Sequence, residues 1–283
     1  MDAAATASRS AGWFAQARTW WTMLRLSLEE RLVYRGDFAL GTFMRFLPIV
    51  TQIFLWAAIF AANGDRPIAG YSYPDFVAYY LLTMISRAFS SMPGLSTNIA
   101  LEIRNGGVKR YLIQPIDMLG FLFLQRLAHK LVYYAVACVP FAIVFFLCRG
   151  FFPGWPSLEV LAAYLLSLVL AFVLGFFLEA TLGMIGFWFL EVSSLFFVYM
   201  LFNFFCSGHM FPIDMLPGVW KTLVSSTPLP YLAYFPAAVF LGKIQGAELV
   251  NGLIIELAWV IFFMVLSRVV FTQGVRRYSA FGG

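Results

Sequence analysis

Five ionisable side chains stand where the sequence is otherwise almost uncharged: Arg45, Arg87, Glu179, Glu191 and Glu256 lie in or at the ends of long apolar runs. A charge at the centre of a membrane helix costs about 2.5–3.5 kcal/mol on insertion scales, so each must be paired, reach a surface, or line a polar cavity. Arg45 is near enough to one end of its run to snorkel. Glu179 and Glu191 flank a turn expected between two adjacent runs, where capping or pairing with Arg126 or Lys130 accounts for them. Arg87 and Glu256 lie deeper and are candidates for a pathway or gating pair as well as for a structural ion pair. Covalent chemistry finds no support. His129 and His209 form no H-E-x-x-H pattern, there is no G-x-S-x-G, and Cys138, Cys148 and Cys206 lack any C-x-x-C spacing, so neither a metal site nor a serine nucleophile is indicated.

The elements that must hold these charges are membrane helices. Of 283 residues 61% are hydrophobic and 12% charged, with a mean hydropathy of +0.82, whereas a soluble chain has about a quarter charged. A helix needs about 20 apolar residues to cross the hydrocarbon. Six runs qualify, over residues 38–62, 76–98, 121–147, 158–179, 183–206 and 249–271. The second is the most diluted, by Ser86, Arg87, Ser90, Ser91 and Pro93, and a turn near 179–186 must separate the fourth from the fifth. The expectation is an all-α membrane protein with one transmembrane domain over 1–283: an interface segment (1–37), a six-span core (38–271) and a tail (272–283). Lys and Arg are dispersed, so the net charge of +5 gives no nucleic-acid footprint.

Basic residues set the orientation. Thirteen fall in the N-terminal segment, in the second loop with the start of the third span, and in the tail; the alternate loops hold only Arg66, Arg149, Lys221 and Lys243. Both termini are therefore expected in the cytoplasm. Before the first span, Trp13, Phe14, Ala17, Trp20, Trp21, Leu24, Leu28 and Leu32 recur at helical steps opposite Arg18, Arg25 and Glu29, which predicts an amphipathic interface helix. The charges in that segment break any secretory core, so an uncleaved N-terminus is expected.

Two loops are more than connections. Between Leu101 and Leu119, Asn105-Gly106-Gly107 and Pro115 isolate a short helical stub, Val108 to Gln114, suited either to a cleft in a soluble partner or to plain solvation. The stretch from Ser207 to Ala247 carries five of the 13 prolines yet is apolar. It reads as two short re-entrant helices in the outer leaflet or, alternatively, as a surface cap.

Together these residues resemble the permease subunits of type-2 ABC exporters, specifically the short six-span permeases often found in pairs. The resemblance rests on the N-terminal helix, on Gly107 with Tyr111-Leu112 and Gln114-Pro115-Ile116-Asp117, and on Gly186-Phe187-Trp188. It rests further on Ser207-Gly208, Phe211-Pro212, Leu216-Pro217, Leu229-Pro230 and Phe235-Pro236 in the outer loop, and on Gly274 to Tyr278 in the tail. It implies that the second loop, with Gly107, Arg110, Tyr111, Leu112, Gln114, Pro115, Ile116 and Asp117, is a coupling helix seated on an ATP-binding subunit. It also implies an outer gate in which Phe211, Leu216 and Trp220 plug the pathway and Pro212, Pro217, Pro228 and Pro230 bound the helices. Two permeases and two ATP-binding subunits are implied in a bacterial plasma (inner) membrane, moving an amphiphilic, lipid-like or drug-like substrate. This chain has no G-x-x-x-x-G-K-[ST], so ATP and magnesium are expected in the partner and no cofactor here. The competing readings are an ion- or proton-coupled carrier, for which repeated halves and a midplane carboxylate pair are missing from the sequence, and an intramembrane enzyme.

The basic asymmetry predicts that a cysteine placed at Lys109 stays unlabelled by an impermeant maleimide added to intact cells, whereas one at Gln245 reacts. The opposite pattern would refute the orientation.

Overall fold

The computed structural model describes residues 18–26, 29, 44, 47–113, 116–152, 154–189 and 191–278. The expectations for Arg45, Gln114 and Pro115, and for the ends of the interface helix at Trp13 and Leu32, lie outside them. The described residues are helical, with no strand. In chain order the α-helices are α1 (Leu47–Ala62), α2 (Tyr73–Ser90), α3 (Leu95–Arg104), α4 (Lys109–Ile113), α5 (Met118–Leu147), α6 (Leu158–Gly183), α7 (Ser193–Cys206), α8 (Gly218–Ser225), α9 (Tyr234–Phe240) and α10 (Gly246–Arg277). Three stretches are long and apolar enough to cross a membrane: Met118–Leu147, Leu158–Phe187 and Gly246–Arg277. The apolar helices Pro48–Ala62 and Ser193–Cys206 are shorter.

Two runs are built differently from their sequence expectation. The second is not one helix: α2 ends at Ser90, and α3 begins after the non-helical Ser91 to Gly94. Pro93 explains the interruption, because its ring disfavours helical backbone at the residue before it and it has no N–H to donate. The turn between the fourth and fifth runs comes later than expected. α6 continues through Glu179 to Gly183, a 3-10 turn follows over Met184–Phe187, and α7 starts only at Ser193. Gly183 and Gly186 do not break the chain because they serve packing: a Cβ at Gly183 would sit 2.7 Å from the Ser96 carbonyl oxygen, and one at Gly186 would sit 3.1 Å from Ala100 Cα.

The chain divides into two compact units, residues 1–46 with 110–144, and residues 47–109 with 145–283. In the first, residues 18–26 are helical, and a Cβ at Gly120 of α5 would lie 2.4 Å from the Trp20 ring. In the second, α6 is the central helix, packed against α2, α3, α9 and α10. Gly175 permits its closest approach, since a Cβ there would lie 2.1 Å from the Ser90 carbonyl oxygen. Trp56 stacks on Phe76 at 4.1 Å between α1 and α2, in a core that also takes in Phe60, Tyr79, Leu168 and Phe235.

A polar network fastens the segment after α7 to the start of α2. The Asp214 carboxylate accepts from Tyr71 (2.9 Å), Tyr234 (2.6 Å) and Lys221 (2.9 Å). Lys243 donates to Asp75 (3.0 Å) and to the Gly70 carbonyl (2.9 Å), and lies over the Tyr71 ring. Asp75 and Ser72 form a capping box at the start of α2, which satisfies two of its otherwise open amides. The Tyr79 and Tyr80 hydroxyls donate to the carbonyls of Gly208 and Met210, and Trp56 Nε1 donates to Tyr80. Gly208 is needed at its position: its φ is +79°, and a Cβ would strike the Tyr79 hydroxyl and the Tyr234 side chain.

Burial works to raise the Asp214 carboxyl, but the hydrogen bonds from Tyr234, Lys221 and Tyr71 outweigh it and hold the group below its ordinary value of 3.8. A carboxyl depressed in the fold contributes stability above its ordinary pKa, and that contribution is lost as the pH falls through the depressed value. Asp214→Asn is therefore expected to destabilise the protein at pH 7 by about 1–3 kcal/mol, with the gap to wild type closing below pH 4 in thermal unfolding in detergent. Gly175→Ala forces a methyl against backbone that cannot step aside, and a loss of about 1–3 kcal/mol is expected from overpacking. Ala162→Gly, at the exposed alanine of α6, should cost less by the same assay.

Candidate functional site

The break after α2 creates the most distinctive site. Ser91, Met92, Pro93 and Gly94 border a cavity of about 500 Å³ whose other walls come from α6, from α7, from Ser207 and His209, and from Leu232 and Ala233. Non-helical backbone at membrane depth is tolerated only where protein covers it or where it lines a polar cavity. The start of α3, with Ser96 and Thr97, faces the same space and has no side-chain cap. The first-turn amides of a helix lack partners within it.

Arg87, in the last turn of α2, and Glu179, on α6, both line this cavity. Sequence reasoning placed Glu179 at a turn; the helix instead runs on past it, and Glu179 lines the same cavity as Arg87. Arg87 is exposed in this chain. Tyr199 of α7 stands near Glu179, and His209 stands within range of the Arg87 charge. Burial, and then that charge, pulls the His209 ring down to about 3, so it is neutral at pH 7. His209 Nδ1 and Asn203 Oδ1 are buried with no hydrogen-bond partner. α7 itself buries none of its 14 residues, and Phe197, Leu201 and Phe202 are open.

The other two intramembrane candidates stand elsewhere. Glu256 of α10 is fully buried and faces Ser167 of α6; neither carboxylate oxygen, nor Ser167 Oγ, finds a partner. Glu191 precedes α7, pairs with Arg104 at 3.5 Å and accepts from the Ser193 amide at 3.0 Å. Both members of that pair are well exposed, so it contributes little.

In the second loop the described part of the stub runs from Lys109 to Ile113, starting one residue later than expected, with Gln114 outside the described residues. Gly107 precedes it where a Cβ would lie 2.2 Å from a carboxylate oxygen of Glu102, and Val108 is fully buried. Arg110 is exposed, donates to the Tyr111 hydroxyl at 2.9 Å and lies 4.7 Å over its ring. Tyr111 turns inward towards Phe121, leaving Leu112 and especially Ile113 (81% exposed) on the surface. Ile116 and Asp117 are half-buried; Asp117 accepts from the Gly120 amide at 2.8 Å and so caps α5. Trp20 lies against that cap, which joins residues 18–26 to this turn. Ile113 went unnoticed in the sequence because an isoleucine in so apolar a chain carries no signal.

Each proline expected in the outer loop stands at or just inside a helical start. Pro212 and Pro217 precede the 3-10 turn Ile213–Met215 and α8, while Pro228 and Pro230 open the 3-10 turn Leu229–Leu232. A fixed φ suits those positions. Phe211 and Leu216 are half-buried and Trp220 is 61% exposed. The Tyr71, Asp214 and Tyr234 cluster that holds this segment escaped sequence reasoning, because its members are up to 163 positions apart and carry no local pattern.

The tail motif meets the fifth-run motif. A Cβ at Gly274 would lie 2.3 Å from the Phe187 ring, and Tyr278 packs edge-on to Phe187 at 5.9 Å. A search of curated proteins returns no match. A family model described as ABC-2 family transporter protein, however, matches residues 46–282, from before α1 into the tail, and so takes in the broken helix, the stub, the clamped proline-rich segment and this packed tail. With membrane-length apolar helices and a match over most of its length, the chain belongs to the ABC-2 family, as a transmembrane permease component of a transporter that works with an ATP-binding ABC subunit.

Proposed function

We propose that the chain is the permease of an ATP-driven exporter that pairs with a second permease, identical or related, and with two copies of a separate ATP-binding subunit in a bacterial inner membrane. The observation that carries this reading is Arg87: an exposed guanidinium beside broken backbone, deep in an apolar run, cannot face lipid. A second permease laid against α7 would cover that helix and turn the cavity into part of a shared pathway. On this reading α1, α2 with α3, α5, α6, α7 and α10 are the six spans, with both termini cytoplasmic. The segment from Ser207 to Ala247 dips into the outer leaflet as the gate, with Phe211, Leu216 and Trp220 at its apolar tip.

The stub is the contact with the ATP-binding subunit. Ile113 presents an apolar side chain to water, and Arg110 stands beside it, held by Tyr111. An exposed apolar anchor next to a positioned arginine fits a docking point. ATP closes the nucleotide-bound dimer, and the stub passes that motion to the spans. The apolar lining contributed by Phe196, Met200 and Phe204 suits an amphiphilic cargo.

Purification of the tagged chain should bring down an ATP-binding protein. Ile113→Asp and Arg110→Glu should leave insertion intact while lowering substrate-stimulated ATPase at least tenfold in reconstituted vesicles. Full stimulation in both variants would count against the coupling assignment, and no copurifying ATPase would support the carrier reading instead.

A further inference from the structure

A second polar cluster lies inside the core, in the seam between α6 and α10. Glu256 of α10 and Ser167 of α6, which it faces, are both fully buried. Neither Glu256 carboxyl oxygen has a hydrogen-bond partner, nor has Ser167 Oγ, nor the buried Tyr164 hydroxyl one turn earlier on α6. Among the described residues no charged side chain answers Glu256 from the elements packed around it. α6 brings Ser167, the 3-10 turn Leu229–Leu232 brings the phenol of Tyr231, and α9 brings the ring of Phe235. The 3-10 turn Met184–Phe187, which meets α10 near Gly274, carries no titratable group. On α10 itself the nearest charges, Glu248 and Arg268, stand more than two turns away. Phe235 seats against Gly252, one turn before Glu256, where a Cβ would lie 2.2 Å from its ring. Tyr231 and Phe235 are themselves in ring contact at 5.2 Å, so the proline-rich segment covers this part of the seam.

We infer that Glu256 is a proton-binding site: its side chain is a carboxylic acid that donates to Ser167 Oγ, and its proton leaves only when the proline-rich segment lifts from α10. A carboxylate here would be an acceptor facing a single hydroxyl, and a charge buried with so little to answer it neutralises instead. The acid form removes that charge and supplies a donor. A hydroxyl oxygen has two lone pairs, so Ser167 can receive that hydrogen bond. While the seam between α6 and α10 is closed, a neutral acid lies within it at little cost. Once water enters, the carboxyl passes its proton to water, leaving carboxylate and hydronium, and the charge so formed opposes reclosure until a proton returns. Proton occupancy and the position of Tyr231 and Phe235 are therefore linked, each biasing the other. The inference stands on the packing of the core and does not depend on the permease reading.

The test uses the full chain in dodecyl maltoside, a detergent without ester or carboxyl groups, with isotope-labelled glutamate carboxyls. At about pH 8, where ordinary carboxyls are ionised, the infrared spectrum of the wild type should keep a labelled protonated-carboxyl band. Glu256→Gln should remove that band, and Ser167→Ala should displace it to higher frequency by deleting the hydrogen bond. The serine variant assigns the band even where the glutamine variant fails to fold. On transfer to heavy water the band should shift slowly in the wild type and about tenfold faster in Phe235→Leu, which thins the cover over Gly252. Absence of the labelled band from the wild type would overturn the inference, since Glu256 would then be charged and answered by a bound cation. A band that survives in folded Glu256→Gln and stays in place in Ser167→Ala would belong to another residue and overturn it as well. So would exchange at one rate in the wild type and Phe235→Leu, because the segment would then not control access. These measurements need no ATP-binding subunit, so their failure leaves the permease reading standing, whereas absence of a copurifying ATP-binding protein would sink that reading whatever the spectra show.

Discussion

Backbone polar groups and side-chain charge cannot be left facing hydrocarbon, and the described architecture is organised around the one place where both occur together. The chain between Ser90 and Leu95 is not helical, and one turn before it stands Arg87. Three glycines bring α6 and the turn after it against the chain from Ser90 to Ala100: Gly175 at Ser90, Gly183 at Ser96 and Gly186 at Ala100. Small residues at membrane helix contacts let backbones approach closely. Here they cover one side of the break and leave the other open to the cavity, which Arg87 and Glu179 both line.

The cavity's further wall depends on a second device of a different kind. Ser207, His209, Leu232 and Ala233 line it, and that stretch is held by hydrogen bonds rather than by helix packing alone. Tyr79 and Tyr80 reach from α2 to the carbonyls of Gly208 and Met210, while the Tyr234 amide donates to the Ser207 carbonyl at 2.9 Å. Asp214 then ties the next turn to Tyr71 and Tyr234. Hydrogen bonds to a charged acceptor are roughly twice as strong as neutral ones. One carboxylate that gathers two hydroxyls and an ammonium can therefore fix a proline-rich segment that has little regular structure of its own.

The sequence made the long helices legible because hydropathy needs only a local window, and α5, α6 and α10 lie close to the runs read for them. It also made Arg87 stand out, since a mid-run arginine is costly wherever the helix ends fall. Glu179 was assigned to a turn because two adjacent runs had to be separated somewhere near 179–186; the length argument fixes that a turn exists but not its residue, and packing of Gly183 and Gly186 against α3 lets the helix run on to Gly183. The stub was located correctly between its breakers, yet which of its faces is open depends on Tyr111 finding Phe121, a tertiary contact. Glu256 stood out on burial cost alone as a candidate for a pathway or gating role; its position against Ser167 follows from the α6 and α10 packing, which no window of sequence reports.

The turn before the stub and the cavity are joined by a single element. α3 begins after the break, at Leu95, and ends at Arg104, just before Asn105, Gly106 and Gly107. Ten residues of helix make a rod of about 15 Å. One end of that rod lines the cavity through Ser96 and Thr97, while Glu102 near the other end packs over Gly107. The rod rests along its length on Gly183 and Gly186, contacts with no side chain of their own to interlock. A helix seated on glycine can slide or tilt with less steric opposition than one held by knobs in holes. Movement applied at Gly107 would therefore reach the cavity floor as a displacement of α3 against α6, shifting Ser96 and Thr97 relative to Glu179 without unfolding any helix. On this geometry the two glycine contacts are the bearing, and the break at Ser91 to Gly94 is the joint that allows α3 to move while α2 stays clamped by its tyrosines.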